Sequence, residues 1–207
     1  MRSRVDHAGV WIPWPGGGDF NDGPALALGS FKAMGVDLTS RLVVLNQKGQ
    51  DEQHPILQRF GGPGHTVTPR SRNAVHGRFA AVIAAWPTKD TLDVAVNAAT
   101  GGTLAVLDWG QDSNEGWATA TQAFNARTGE RLPALDTELA TVFEHLLFHD
   151  REVSMGRTTR EGRTVVQPAL RELKAAGFDF QFVGSYCIAN GYHASGLKRL
   201  KEHYDAA

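Results

Sequence analysis

The stretch FAAVIAAWPTKDTLDVAVNAATGGTLAVLDWG, residues 79–110, decides the fold. It opens on eight consecutive apolar residues, Phe79 to Trp86, closed by Pro87. It ends on a second apolar run, Leu104-Ala105-Val106-Leu107, closed by Asp108-Trp109-Gly110. Between the runs, Leu92, Val94, Ala95, Val96, Ala98 and Ala99 fit a helix, with Thr88 placed to start it and Gly101-Gly102 to end it. Continuous apolar runs of this length mark strands buried on both faces. Strand, helix, strand in that order predicts a right-handed βαβ unit in a parallel sheet.

Towards the N-terminus, Leu42-Val43-Val44-Leu45 reads as another buried strand, running into Asn46-Gln47-Lys48-Gly49. His54 to Phe60 reads as a short helix stopped by Gly61-Gly62-Pro63-Gly64, and Thr66-Val67-Thr68 as a short strand. Residues 1–40 contain Trp11-Ile12-Pro13-Trp14-Pro15 and Gly16-Gly17-Gly18, which cannot continue a helix or a central strand. An irregular segment is expected there, packed on the core or extended as a partner-binding arm.

Towards the C-terminus the strands stop after Leu132. Leu135, Leu139, Val142, Phe143 and Leu146 share one helical face. Thr164 and Gln167 have the spacing of a capping box with Pro168 in the first turn, so a further helix is expected from there to Gly177. The expected architecture is α/β: a small, Rossmann-like, mostly parallel sheet over residues 41–130, followed by a helical, helix-turn-helix-like subdomain over residues 131–207.

A net charge of -1 excludes a protein that coats nucleic acid by charge alone. A single cysteine, Cys187, excludes an internal disulfide framework and fits a reducing compartment. The first residues lack the apolar run of a signal peptide, and no stretch has the roughly 20 apolar residues of a membrane span. The expectation is a soluble, cytoplasmic protein.

The C-terminal stretch SYCIANGYHASGLKRLKEH, residues 185–203, admits two readings. As a DNA-reading helix-turn-helix it would use Cys187, Gly191 and Leu197 as its small, turn and locking residues, with Val183 and Leu200 completing the core. Tyr192, His193, Ser195, Lys198 and Arg199 would then offer donors to phosphates or base edges. Asn190 occupies a position that is usually apolar, and residues 151–207 carry only nine Lys and Arg against six Asp and Glu. The other reading is a helical hairpin packed on the sheet with a solvated basic face. TPRSRNAVHGR, residues 68–78, offers a second basic surface: Arg70, Arg72 and Arg78 with His76 suit an acidic partner or a phosphate, or form a solvated connection.

In open α/β sheets, ligands bind beyond the carboxyl ends of the strands. Lys48, Thr88, Lys89, Asp108 and Asp112 fall at those ends and are the ligand-binding candidates. Thr88 and Lys89 sit where a helix N-terminus can hold an anion, and Thr88 serves equally as a plain cap. No glycine-rich nucleotide fingerprint occurs there, and no cofactor is implied. Asp108, Asp112 and Glu115 share one loop, which suits either a divalent cation or an ordinary turn capping a helix at Trp117. His145 and His149 are four apart on one helix, the spacing of a shared metal, although His149 also falls inside the apolar face. Gly18 to Gly23, GDFNDG, is one residue short of a calcium loop and lacks its terminal Glu.

Several segments together resemble a known group. They are Trp86-Pro87 closing a strand, GWATATQAFNARTGE (Gly116 to Glu130), ALRELKAAG (Ala169 to Gly177) and ANGYHASGLKRL (Ala189 to Leu200). Over about residues 41–205 this pattern resembles a set of uncharacterised bacterial proteins, mostly actinobacterial. The resemblance implies the same α/β-plus-helices arrangement and carries over no catalytic residue. Two functions are therefore expected as alternatives. One is a non-enzymatic binding or adaptor protein whose C-terminal helices contact a protein or nucleic acid. The other is a small-ligand or nucleotide-binding enzyme with its site at the strand ends.

Overall fold

The computed structural model describes residues 5–16, 22–62, 64–110, 112–154 and 160–207, with the backbone alone for 72–74, 149–154 and 160–165. The chain runs β1 (Ala8–Ile12), α1 (Gly23–Ala33), β2 (Arg41–Leu45), α2 (Pro55–Gly61), β3 (Thr66–Val67), β4 (Ala81–Ala85), α3 (Lys89–Ala98) and β5 (Thr103–Leu107). It continues with α4 (Glu115–Ala120), β6 (Phe124–Asn125), β7 (Glu130–Arg131), α5 (Thr137–Ser154), α6 (Arg160–Ala175), α7 (Phe180–Ala189) and α8 (Ala194–Asp205). Two short pieces of 3-10 helix, kinked at Ser71, span Pro69–Ala74.

The seven strands form one sheet in the order β3-β2-β4-β5-β1-β6-β7, and only the β6–β7 pair is antiparallel. The fold is therefore α/β, as residues 79–110 predict. Alternation along the strands makes two apolar faces. Leu42, Val44, Val82, Ala84, Leu104 and Val106 pack under α3, α4 and the helices that follow. Val43, Leu45, Ile83, Ala85, Ala105 and Leu107 pack under Ala27 and Phe31 of α1 and Leu57 and Phe60 of α2.

The expected irregular N-terminal segment is corrected by this sheet. Ala8–Ile12 is an interior strand, paired with β5 from Ala8↔Thr103 to Ile12↔Leu107 and with β6 on its other side. Its glycine is a packing requirement, because a Cβ on Gly9 would stand 2.5 Å from Thr121 Oγ1 and 2.9 Å from the Ala123 methyl. The Pro-rich stretch that follows ends the strand. α1 then starts at Gly23-Pro24, where a first-turn proline gives up no helical hydrogen bond.

The start of α6 is also corrected. The helix is already formed at Arg160, so Thr164 is not its cap and Pro168 lies in its interior. Pro168 has no amide to give the carbonyl of Thr164. The C-terminal end is as expected: Gly177 has φ +89°, and Phe178 N donates to Leu173 O at 3.1 Å.

The C-terminal helices complete the first apolar face. Val183, Cys187 and Ile188 of α7 belong to the same buried cluster as the strands. α7 lies against α4 so closely that a Cβ on Gly116 would stand 2.0 Å from Phe182 O. Among the described residues no helix is long and apolar enough to cross a membrane.

Candidate ligand site

The chain leaves β1 and β2 for one face of the sheet, and β4 and β5 for the other. Adjacent strands with opposite departures are β1/β5 and β2/β4, and their carboxyl ends are where an open α/β sheet parts to admit a ligand. The β1/β5 crevice is filled. Trp14, Trp86, Leu107, Asp108 and Arg127 leave about 10 Å³ between them. Arg127 closes it from outside, donating to both Asp22 carboxylate oxygens at 2.9 Å and to Pro13 O at 2.8 Å.

The β2/β4 crevice is open. It widens into a hollow of about 650 Å³ lined by Gln47 to Gln50, Glu52 to His54, Trp86 and Trp109. The Gln47–His54 segment is a chain of tight turns, with Glu52 N donating to Gly49 O at 3.1 Å and His54 N to Asp51 O at 2.8 Å. Trp109 is 42% exposed and stacks on Trp14 with ring centroids 5.7 Å apart.

Trp86 is strained. It holds φ at +51°, a region that a bulky side chain rarely enters, and the following proline narrows its choices further. Its amide donates to Leu107 O at 2.8 Å, and its carbonyl accepts from Asn46 Nδ2 at 2.7 Å. Its buried ring lies 4.5 Å from the His54 ring. Asn46 is the clamp. Its Oδ1 accepts from Thr88 N at 3.0 Å and from Thr91 Oγ1 at 2.6 Å, tying the end of β2 to the start of α3. Partial burial lowers the pKa of His54 against the opposing pull of Asp51.

Lys48 lines the hollow, whereas the other strand-end candidates build a second network behind the rim. Asp108 is buried and accepts four N–H groups: Trp11 Nε1 at 3.1 Å, Trp109 N at 3.0 Å, Asn114 N at 3.1 Å and Asn114 Nδ2 at 3.0 Å. Burial pushes its pKa up, and the four donors pull the other way. Asn114 also donates to Pro87 O at 3.2 Å and Asp112 O at 2.8 Å, so its side chain locks the loop instead of capping α4. Lys89 Nζ donates to Ser113 O at 2.8 Å and Asn114 Oδ1 at 3.2 Å. Lys89 is half-buried, and its ammonium is drawn inwards by these two acceptors. Desolvation lowers its pKa to about 8 despite Asp108, Asp112 and Asp179 nearby. Thr88 caps α3, accepting from Thr91 N at 3.5 Å. Asp112 receives Gln181 Nε2 at 3.5 Å.

The remaining candidates lie elsewhere. On the C-terminal hairpin, Val183, Cys187, Leu197 and Leu200 are buried and Gly191 has φ +81°. Tyr192 is buried, with its hydroxyl donating to Gly196 O at 3.3 Å. His193, Ser195 and Lys198 are exposed, and Arg199 is half-buried. Arg70 is exposed and shares a hollow with His193 and Ser195, and the Arg72 side chain lies outside the described residues. His145 is exposed on α5, and the His149 side chain lies outside the described residues. Most of the GDFNDG loop lies outside them too. Among the described residues no three His, Cys, Asp or Glu side chains are grouped to hold a metal.

Sequence reasoning did not single out Trp86, Trp109 and His54 as site residues, nor Asn46 and Asn114 as clamps. The available signals were a Trp directly before the strand-ending proline and an Asn directly after β2. No family model, curated protein sequence or solved structure matches this chain. The class is thus defined by the fold and the hollow: an open, mostly parallel α/β sheet with a hollow at the switch point of its carboxyl edge.

Proposed function

We propose that this protein binds a small nucleobase-bearing molecule in the hollow beyond β2 and β4. The observation that carries this reading is the backbone of Trp86, held at φ +51° on the lining of the hollow by Asn46 and Leu107. Such strain costs about 1–3 kcal/mol and clusters at ligand clamps. The exposed Trp109 indole on the lining suits a flat ring, since stacking of a base on an aromatic side chain contributes about 1–3 kcal/mol. The carboxamides of Gln47 and Gln53 suit the paired donor and acceptor edge of a base. Lys48 and Glu52 leave the rim without a strong net charge, which favours a polar ring over a polyanion.

A DNA-reading role for the C-terminal hairpin is less well supported. Asp90 and Asp93 line the same hollow as His193 and Ser195, and their two carboxylates outnumber the one Arg70 guanidinium that a phosphate backbone would meet there.

Calorimetric titration with adenosine, guanosine, cytidine and uridine tests the proposal. At least one nucleoside is expected to bind, and Trp109→Ala, a change at an exposed ring, is expected to weaken that binding about tenfold, or about 1.4 kcal/mol. Absence of binding by all four at millimolar concentration refutes it.

A further inference from the structure

A second hollow, of about 580 Å³, lies where the loop after β3 meets α3 and the start of α8. It shares no lining residue with the first. We infer that it binds a free α-amino acid as the zwitterion. Arg70 and Asp90 both line it and both are exposed. Neither side chain makes an ion pair or hydrogen bond with another described residue.

Asp93, one turn further along α3, is already engaged. Its Oδ1 accepts from Asn97 Nδ2 at 2.9 Å and lies 3.5 Å from His193 Nδ1. Its Oδ2 accepts from Ala194 N at 3.1 Å. The start of α8 is therefore capped by a carboxylate and offers no anion site. Arg70 remains for an anionic group, and Asp90, supported by Asp93, for a cationic one.

A ligand of one sign meets repulsion at one end of this pattern. A polyanion faces two carboxylates, and a simple amine faces the Arg70 guanidinium. A molecule carrying one ammonium and one carboxylate satisfies both ends. Val75, Val94 and Ala98 supply apolar lining for the amino acid's side chain.

The test is a ¹H–¹⁵N correlation spectrum of the full chain with an equimolar mixture of the common L-amino acids, followed by the single best one. The Val94, Ala98 and Ser195 amides are expected to shift. The two analogues lacking either the ammonium or the carboxylate are expected to bind at least about tenfold more weakly. Arg70→Ala and Asp90→Asn, both at exposed positions, are each expected to cause a similar loss while leaving the rest of the spectrum in place. Trp109→Ala is expected to leave this binding intact, which separates this site from the nucleobase site. Absence of shifts at millimolar concentration overturns the inference. So does an analogue that binds as well as the zwitterion.

Discussion

Adding one methyl group at Gly116 should separate the C-terminal helices from the sheet. In an open helix, Gly→Ala is favourable by about 0.5–1 kcal/mol, because it reduces the entropy of the unfolded chain. At Gly116 the new Cβ would lie 2.0 Å from Phe182 O, 2.7 Å from Ser185 Oγ and 2.8 Å from the Phe182 carbonyl carbon. Two of these are backbone atoms, which cannot turn aside as a side chain can. Restoring ordinary contact at 3.4 Å needs α7 to withdraw by about 1.4 Å. α7 carries Val183, Cys187 and Ile188 in the buried cluster, so withdrawal loosens that packing. Overpacking of this kind costs about 1–3 kcal/mol, and a backbone obstacle places Gly116→Ala near the upper end. For a chain of this size that is a fall in Tm of about 6–12 °C. Gly29→Ala is the matched control, since Gly29 is exposed inside α1 with nothing within 4 Å of its would-be Cβ. It should raise stability by about 0.5–1 kcal/mol. Urea unfolding followed by tryptophan fluorescence reads both variants. A Gly116→Ala protein within about 0.5 kcal/mol of the parent would refute the close α4–α7 packing.

Other predictions follow from buried polar groups. His7 is sealed in the core, where its Nε2 accepts from Trp117 Nε1 at 3.1 Å, and burial lowers its pKa below 6.5 despite Asp6. Above about pH 6.5 its contribution is fully present. As pH falls below that, the unfolded chain takes up a proton that the folded one resists, so stability declines. Urea midpoints from pH 8 to pH 5 should fall, and His7→Gln should flatten the decline. Lys89 acts with the same sign in a higher window. With a folded pKa of about 8 against 10.5, it makes stability rise from pH 8 to 9.5, and Lys89→Gln should remove that rise in the same assay. Asp108→Asn turns an N–H group towards other N–H donors and should cost about 1–3 kcal/mol for each donor left without an acceptor, read by thermal unfolding. Pro168→Ala restores an interior amide at an exposed position of α6 and should stabilise by up to about 3 kcal/mol, read by calorimetry.

The central βαβ unit was legible because strands buried on both faces need unbroken apolar runs, and Thr88 caps α3 as its position suggests. β1 was not legible. Its residues, AGVWI, include a glycine that reads locally as a break, and only the later placement of Thr121 and Ala123 against Gly9 explains it. Thr164 and Gln167 carried a capping signal that a longer helix overrides. At the site, Lys48 was found because it follows a strand. Asp108 follows a strand too, yet Trp109, Asn114 and Trp11 turn it inwards; the first two share its loop, but Trp11 comes from β1, which sequence spacing does not connect to it. The strain at Trp86 is a property of φ, which a residue type does not announce.

Tryptophan signals test most directly whether the hollow at β2/β4 is the nucleobase site. The five tryptophans, Trp11, Trp14, Trp86, Trp109 and Trp117, each give one indole signal in a ¹H–¹⁵N spectrum. Titrating in the tightest-binding nucleoside should move the Trp86 and Trp109 signals and leave that of buried Trp117 in place. A spectrum in which Trp86 and Trp109 stay fixed at saturating nucleoside would contradict the proposed site.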